Sequence, residues 1–403
     1  MTVPEPISVT RFRQYLKINT MHPEPDYYKC AEFLVDQAKE IGLESSIVEC
    51  VKGKPIVIMK LLGTEPTEKA LMLSSHVDVV PIFEDQWTHP PFAADRVETE
   101  DGDFKIFARG AQDMKNQGSM YLEAIRKIVS SGKKLKRNVI LAFCPDEEIG
   151  SVDGAKMFVE TPEFADLNIG FDIDESASIP AKISGVIYAE RANGQVTFTA
   201  NGNTGHGSQF IQGTAIEKML PVINYMMNLR AECKAKYDSV DPRYRLIKSG
   251  DSTTINLTQV EGGTQPNVVP AFYSVTFDIR VTPHEDINEF RKKITDMATS
   301  FGVETRFHRP DEFSSLTKID KSNVFIGTFY KSLEKQQINY IDIVFPANTD
   351  ARYIRTKGIP AFGFNPMQGT PVLAHDFDEF VFESEFLKGI DVYATLIQDL
   401  ADC

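Results

Sequence analysis

The stretch Leu-Met-Leu-Ser-Ser-His-Val-Asp, residues 71–78, constrains the rest of the chain most tightly. Its apolar run, Leu71-Met72-Leu73, has the length of a buried strand. Side chains alternate faces along a strand, so His76 and Asp78 point to the same side of its end. A neutral imidazole there is a good metal ligand, and a carboxylate two residues on can orient it. Two more apolar runs end in the same manner. Residues 138–144 stop at Pro145-Asp146-Glu147-Glu148, and residues 169–173 stop at Asp174-Glu175. Helical periodicity lies around and between these runs. Phe12, Tyr15 and Leu16 share one face of a helix that Ser8 can cap. Ala31, Leu34, Val35 and Ala38 line a second, stopped by Gly42, and a third runs over 116–131 to Gly132. Strands are also expected at 46–51 and 56–62. Strands alternating with helices predict an α/β domain with a mostly parallel central sheet, whose ligands gather at the carboxyl ends of the strands.

The pattern changes after Val186. A strand over 189–201, a helix over 214–231, strands over 253–260 and 272–282, a helix over 286–301 and a closing strand at 303–307 form an α+β unit of ferredoxin-like type. An α/β pattern resumes near Ser322, with a helix over 324–336, strands near 340–344 and 360–364, and a last helix over 384–400. The expected organisation is discontinuous. Segments 1–187 and 313–403 build a catalytic domain, and 188–312 is an inserted lid and dimerisation domain. Its helices or edge strand need a partner, so a homodimer is expected.

With 403 residues the chain is too long for one ordinary core. Lys and Arg number 43 against 57 Asp and Glu, and the net charge of −14 argues against nucleic acid or an anionic membrane as partner. The five cysteines are an odd number with no close pairing, which fits a reducing, cytoplasmic compartment. The first residues lack the apolar segment of a secretory signal, and no window approaches ~18 uninterrupted apolar residues. Neither a G-x-G-x-x-G nor a phosphate-binding loop occurs.

His76, Asp113, Glu148, Glu175 and His375 all fall at expected loop or strand ends. Two imidazoles and three carboxylates are too few for two closed zinc sites. They suffice for a two-metal site if one carboxylate bridges. Asp113 lies between the His76 and Glu148 strands and is the expected bridge. One ion would take His76 and Glu175, the other Glu148 and His375. Glu147 is adjacent to Glu148, so its side chain diverges and is left to act as general base. His22, His89, His284 and His308 fit no ligand pattern and are read as surface or structural.

The ordered segments SSHVDVVP, RGAQDMK, PDEE, Asp174-Glu175, GHGS (205–208), EGG…NVVP (261–270) and AHDFDE resemble, nearly end to end, the aminoacylase-1 family. That family belongs to the superfamily of zinc-dependent aminoacylases, glutamate-releasing carboxypeptidases and dipeptidases. The resemblance implies a hydrolase with two Zn²⁺ per subunit that removes the acyl group from small-molecule N-acyl-L-amino acids. It assigns the same five ligands, Glu147 as base and Asp78 as the group holding the His76 ring. It implies a cis peptide at Asp113–Met114. It gives His206 the developing oxyanion, in the active site of the partner subunit, and gives Asn267 and Arg280 contacts with substrate. Arg352, in NTDARY, is expected to grip the substrate α-carboxylate, because a guanidinium binds carboxylates bidentately. Arg355 competes for that role, and Asp350 would orient one of the two. A dipeptidase or carboxypeptidase of the same superfamily is the alternative activity. A non-catalytic metal-binding scaffold is a weaker one, because Glu147 and all five ligand candidates are present.

Overall fold

The computed structural model describes residues 4–242, 244–245 and 247–403. They form two compact units, Met1–Tyr188 with Thr317–Asp342 and Thr349–Cys403, and Ala189–Leu316 with Ile343–Asn348. The insertion therefore ends four residues later than the expected 312, and a short return segment joins it. Local bonding explains both shifts. The Arg291 guanidinium donates to the carbonyls of Arg309, Pro310 and Glu312, and Leu316 bridges to Ala189. The Arg191 guanidinium holds the Pro346 carbonyl, and Asn348 donates to the Arg191 carbonyl.

The first unit is built on strands β1 (Glu44–Val48), β2 (Ile56–Leu61), β3 (Ala70–His76), β4 (Val139–Cys144), β5 (Ile169–Asp174), β6 (Ser184–Glu190, its last two residues counted with the second unit), β7 (Tyr340–Phe345, its last three counted there too) and β8 (Ala361–Phe364). Their order across the sheet is β1-β2-β4-β3-β5-β8-β6-β7. The sheet is mixed rather than mostly parallel. β3 runs parallel to β4 and β5, and β5 to β8, whereas β1–β2, β2–β4 and β8–β6 are antiparallel. The turn over 49–55 is too short for the crossover of about a dozen residues that parallel pairing needs, so β1 and β2 form a hairpin. The parallel centre is buried on both faces, which is why β4 reads Val-Ile-Leu-Ala-Phe-Cys without a polar residue.

Helices α1 (Ile7–Leu16), α2 (Tyr27–Ile41), α3 (Lys115–Ser130), α4 (Val324–Lys335), α5 (Ala351–Thr356) and α6 (Glu383–Asp402) pack in this unit, together with short helices at Ala155–Phe158 and Pro162–Asp166 and a three-stranded sheet of Asp95–Glu98, Phe104–Phe107 and Phe380–Phe382. The peptide between Asp113 and Met114, just before α3, is cis. Gly118 lets the first turns of α3 lie against the sheet. A Cβ there would stand 2.9 Å from Ser75 Oγ and 3.0 Å from a Phe143 ring carbon. Beneath the parallel strands Phe171 stacks on Phe325 at 5.8 Å and meets Phe362 edge-on at 5.4 Å, and Phe329 packs on both Phe362 and Phe364.

In the second unit, strands Thr254–Gly262, Phe272–Val281, Val196–Asn201 and Glu304–Phe307 lie side by side in that order, all antiparallel. With helices Ala215–Asp238 and Ile287–Ser300 the chain runs strand-helix-strand-strand-helix-strand, the ferredoxin-like order. Met219, Val222, Met226, Ile294 and Ala298 pack with Val196, Phe198, Phe277 and Ile279 in its core. The first helix begins at a Thr214/Glu217 capping box and continues past the expected 231, because 232–238 keeps good helix formers and buries Cys233. Among the described residues no helix is long and apolar enough to cross a membrane.

Phe171→Ala removes a fully buried ring from the middle of the aromatic cluster. It is expected to cost about 3–5 kcal/mol of the first unit's stability. Guanidinium unfolding of the purified variant, read against the parent, measures this.

Candidate metal centre

The register of the parallel strands brings three chain exits together. His76 pairs with Cys144 across β3 and β4, and Leu73 with Ile173 across β3 and β5. The chain leaves β4 through Asp146 into the short turn Glu147–Ile149. Asp146 adopts a left-handed conformation with φ of 68°, uncommon for a residue with a side chain. Its carboxylate accepts from the Tyr27 hydroxyl at 2.7 Å and pairs with Lys54 at 2.5 Å. Those contacts fix the bend that delivers Glu147 and Glu148 beside His76.

The first unit gathers all five expected ligands. His76 Nε2 lies 3.0 Å from Asp113 Oδ1 and 3.7 Å from Glu175 Oε2. His375 Nε2 lies 3.2 Å from Asp113 Oδ2 and 3.0 Å from Glu148 Oε2. The two Asp113 oxygens thus face different imidazoles. Donor atoms of His76, Asp113 and Glu148 lie within 4.8 Å of one another, and so do those of His76, Glu147 and Glu175. His375 reaches in from an irregular loop with φ of 65°.

This donor set fits a pair of divalent cations. Two ligands on one tetrahedral ion, each at ~2.0–2.1 Å, stand roughly 3.3 Å apart, close to the separations found here. The His76 Nδ1 atom is 3.0 Å from the Asp78 carbonyl, which can only accept, so Nδ1 carries the hydrogen and Nε2 is the free lone pair. The electrostatics point the same way. Burial and then the neighbouring Glu175 charge raise the Glu147 carboxyl well above its ordinary range. Burial also raises Glu148 and Glu175, next to Asp113. Burial alone would lower the His76 pKa, but the Asp113, Asp78 and Glu175 carboxylates raise it well above its ordinary value. The cluster is short of positive charge, which cations would supply.

Asp78 holds the His76 ring through its carbonyl rather than its carboxylate, whose nearer oxygen is 3.6 Å from Nδ1. The fully buried carboxylate instead accepts the backbone N–H groups of Glu147 at 3.1 Å and Glu148 at 3.0 Å. Its third partner is His22 Nε2 at 2.9 Å. Burial favours the neutral acid, yet the bond from His22 and the neighbouring His76 imidazole hold this carboxyl well below the usual range. His22 is a buried neighbour of the centre that sequence reading leaves outside it. No spacing links it to residues more than fifty positions away; only the fold does. Of the other three histidines, His89 lies beside Asp95 in the first unit, and in the second His284 is near Asp251 and His308 bonds with Thr197.

Glu379 is the second residue that sequence reading passes over. Its buried carboxylate accepts from the backbone of Gly110, Gln112 and Asp113 and pairs with Arg109 at 2.7 Å. An acid immediately before the apolar strand Phe380–Phe382 was the available signal.

Asp350, Arg352 and Arg355 sit on or beside α5, all buried. Asp350 accepts from Ser151 Oγ, and burial followed by the Asp174 charge pushes its carboxyl up to about 7. Arg352 donates to the Tyr353 hydroxyl, which in turn donates to the Gly150 carbonyl, tying α5 to the Glu147–Ile149 turn. Arg355 donates to the carbonyls of Ala361 and Ile187 and to Thr317. The remaining expected site residues belong to the second unit. There Gly205–His206 pairs with Val268–Val269, and the Gly207 N–H donates to the Asn267 carbonyl at 2.8 Å, so His206 and Asn267 share one ribbon. His206 is exposed, with Nδ1 2.8 Å from Ser208 Oγ. Arg280 makes a two-pronged pair with Asp278, each contact 3.2 Å.

Asp78→Ala strips the Glu147–Glu148 turn of its acceptor. It is expected to weaken divalent-metal affinity by about 10–100-fold, the usual effect of losing a group that orients ligands. Competition against a chromophoric chelator measures the change.

Residues 72–399 match the model of Peptidase family M20/M25/M40. The chain is 42% identical to Aminoacylase-1 of Dictyostelium discoideum, across 100% of this chain and 99% of that protein. It is 40% identical to Aminoacylase-1 of Sus scrofa, across 98% of this chain and 95% of that protein. Its fold is similar to that of an M20 family metallo-carboxypeptidase from Sulfolobus solfataricus, with a TM-score of 0.74 at 17% identity, covering 98% of this chain and 100% of the other. Strand ends that converge on a metal-type donor set and a family match over most of the sequence agree: the chain belongs to peptidase family M20/M25/M40.

Proposed function

We propose that this protein hydrolyses N-acyl-L-amino acids to a carboxylate and a free L-amino acid. The observation that supports this most strongly is identity of about 40% to aminoacylases over essentially the whole chain. His76 and Glu175 would hold one Zn²⁺, Glu148 and His375 a second, and Asp113 would touch both. When bound, the ions polarise the scissile carbonyl and ease deprotonation of the attacking water.

The chain's own groups do the rest. Glu147 lies beside the ligands without a place among the five, and takes the proton from water as it adds to the amide carbon. The same carboxyl then gives that proton to the leaving nitrogen as the C–N bond breaks. Its burial beside Glu175 supports this assignment, because desolvation makes this carboxylate a stronger proton acceptor than a free glutamate. His206 would stabilise the oxyanion, and Asn267 and Arg280 would contact substrate. Arg352 would bind the α-carboxylate. The engagement of Arg355 with backbone carbonyls supports that choice.

A homodimer is supported by the second unit's surface. Ile216, Leu220 and Met227 form an exposed apolar stripe on the Ala215–Asp238 helix, and Thr254–Gly262 is an end strand. Five free cysteines support a reducing, cytoplasmic setting.

Glu147→Ala is expected to lower turnover of N-acetyl-L-methionine by about 10²–10⁴-fold while the metal content of the purified protein stays constant. Unchanged turnover would remove Glu147 as base. On substrate class, kcat/KM for N-acetyl-L-methionine is expected to exceed that for every member of a dipeptide panel. A clear preference for dipeptides would assign the chain to the dipeptidase branch instead.

A further inference from the structure

Asp113 and His375 come from two irregular loops more than two hundred and fifty residues apart in sequence; the antiparallel strands Phe104–Phe107 and Phe380–Phe382 join the outer ends of those loops, but neither residue lies in them. Two side chains bind those loops to each other. Gln112 is buried and every group of its amide is used. Nε2 donates to the carbonyls of Pro371 at 2.9 Å and Phe380 at 2.8 Å, and Oε1 accepts from the Leu373 N–H at 2.8 Å. Glu379 reciprocates from the far end of the His375 loop. One oxygen accepts from Gln112 N at 2.5 Å and Asp113 N at 3.2 Å, and the other from Gly110 N at 3.1 Å. The Arg109 guanidinium neutralises this carboxylate at 2.7 Å. The loop carrying His375 is thus pinned on both sides of the histidine, at 371–373 and at 379–380, to the residues that lead into Asp113.

We infer that Gln112 and Glu379 form a clamp that positions His375 against Asp113 and so sets the affinity of the ion these two share. They are positioning residues, and the inference rests on the two-ion reading given above. The other ion has different supports. His76 is fixed by β3 and by the Asp78 carbonyl, and Glu175 directly follows β5. Loosening the clamp therefore acts unequally on the two ions.

The test is a titration of Zn²⁺ into metal-free protein against a chromophoric chelator. Gln112→Met keeps the length and bulk of the side chain and loses all three bonds. The parent is expected to take up two ions. Q112M is expected to bind one of them about 10–100-fold more weakly, the effect typical of losing a ligand-orienting group. The other affinity should fall by no more than about threefold, because that ion shares only Asp113 with the clamped loops. In a His375→Ala background, which retains the ligands of the first ion, adding Q112M should change the remaining affinity by no more than that. Should Q112M fail to fold, Q112E, which keeps the acceptor for Leu373 N–H and loses both donors, is read in the same way. Two affinities unchanged, or both weakened alike in a folded variant, would overturn the clamp while leaving the two-ion site intact. A parent that takes up fewer than two ions would overturn the two-ion reading itself, and the clamp with it.

Discussion

Asp113, Glu147, Glu148 and Glu175 converge on two imidazoles at the ends of the parallel strands of a mixed sheet, and this crowding of like charge is the constraint that the surrounding structure answers. Burying several carboxylates together is unfavourable unless hydrogen bonds or cations balance them. The fold supplies the hydrogen bonds through residues that are not themselves donors to a metal. The Asp78 carboxylate holds the Glu147–Glu148 turn by its N–H groups, and Glu379 does the same for the Asp113 loop. The cations are left for the five donors to bind. Strand register, the left-handed bend at Asp146 and the packing of Gly118 against Ser75 all act toward the same end, because each fixes where one of the polar exits points.

Much of this was legible in the sequence because the relevant signal is local. An apolar run that stops abruptly on His or Glu marks a strand end, and three such runs mark one edge of a sheet. The change of pattern after Val186 was equally visible, since the alternating strands there differ from the all-apolar strands of the α/β part. What stayed hidden depends on contacts between distant segments. The antiparallel flanks follow from connection lengths and partner choice rather than from strand composition. The end of the insertion follows from one arginine, Arg291, that captures three carbonyls downstream of its helix. His22 carries no metal-ligand spacing, yet the fold sets it on the Asp78 carboxylate. Spacing predicts that Asp78 and His76 meet; it does not say whether carbonyl or carboxylate makes the bond.

The two units divide the expected site residues between them. The first holds the metal-type donors, Glu147, and the α5 residues Asp350 and Arg352. The second holds His206, Asn267 and Arg280, with the first two on a single exposed ribbon. Each unit closes its own hydrophobic core, so each set of residues is held by packing within its own unit.

The most direct measurement is a crystal structure of zinc-loaded protein with anomalous data collected on both sides of the zinc edge. The account predicts two anomalous peaks in the first unit, one beside His76 and Glu175, the other beside Glu148 and His375, with one Asp113 oxygen on each. A single peak, no peak after reconstitution with Zn²⁺, or two ions without Asp113 between them would contradict it.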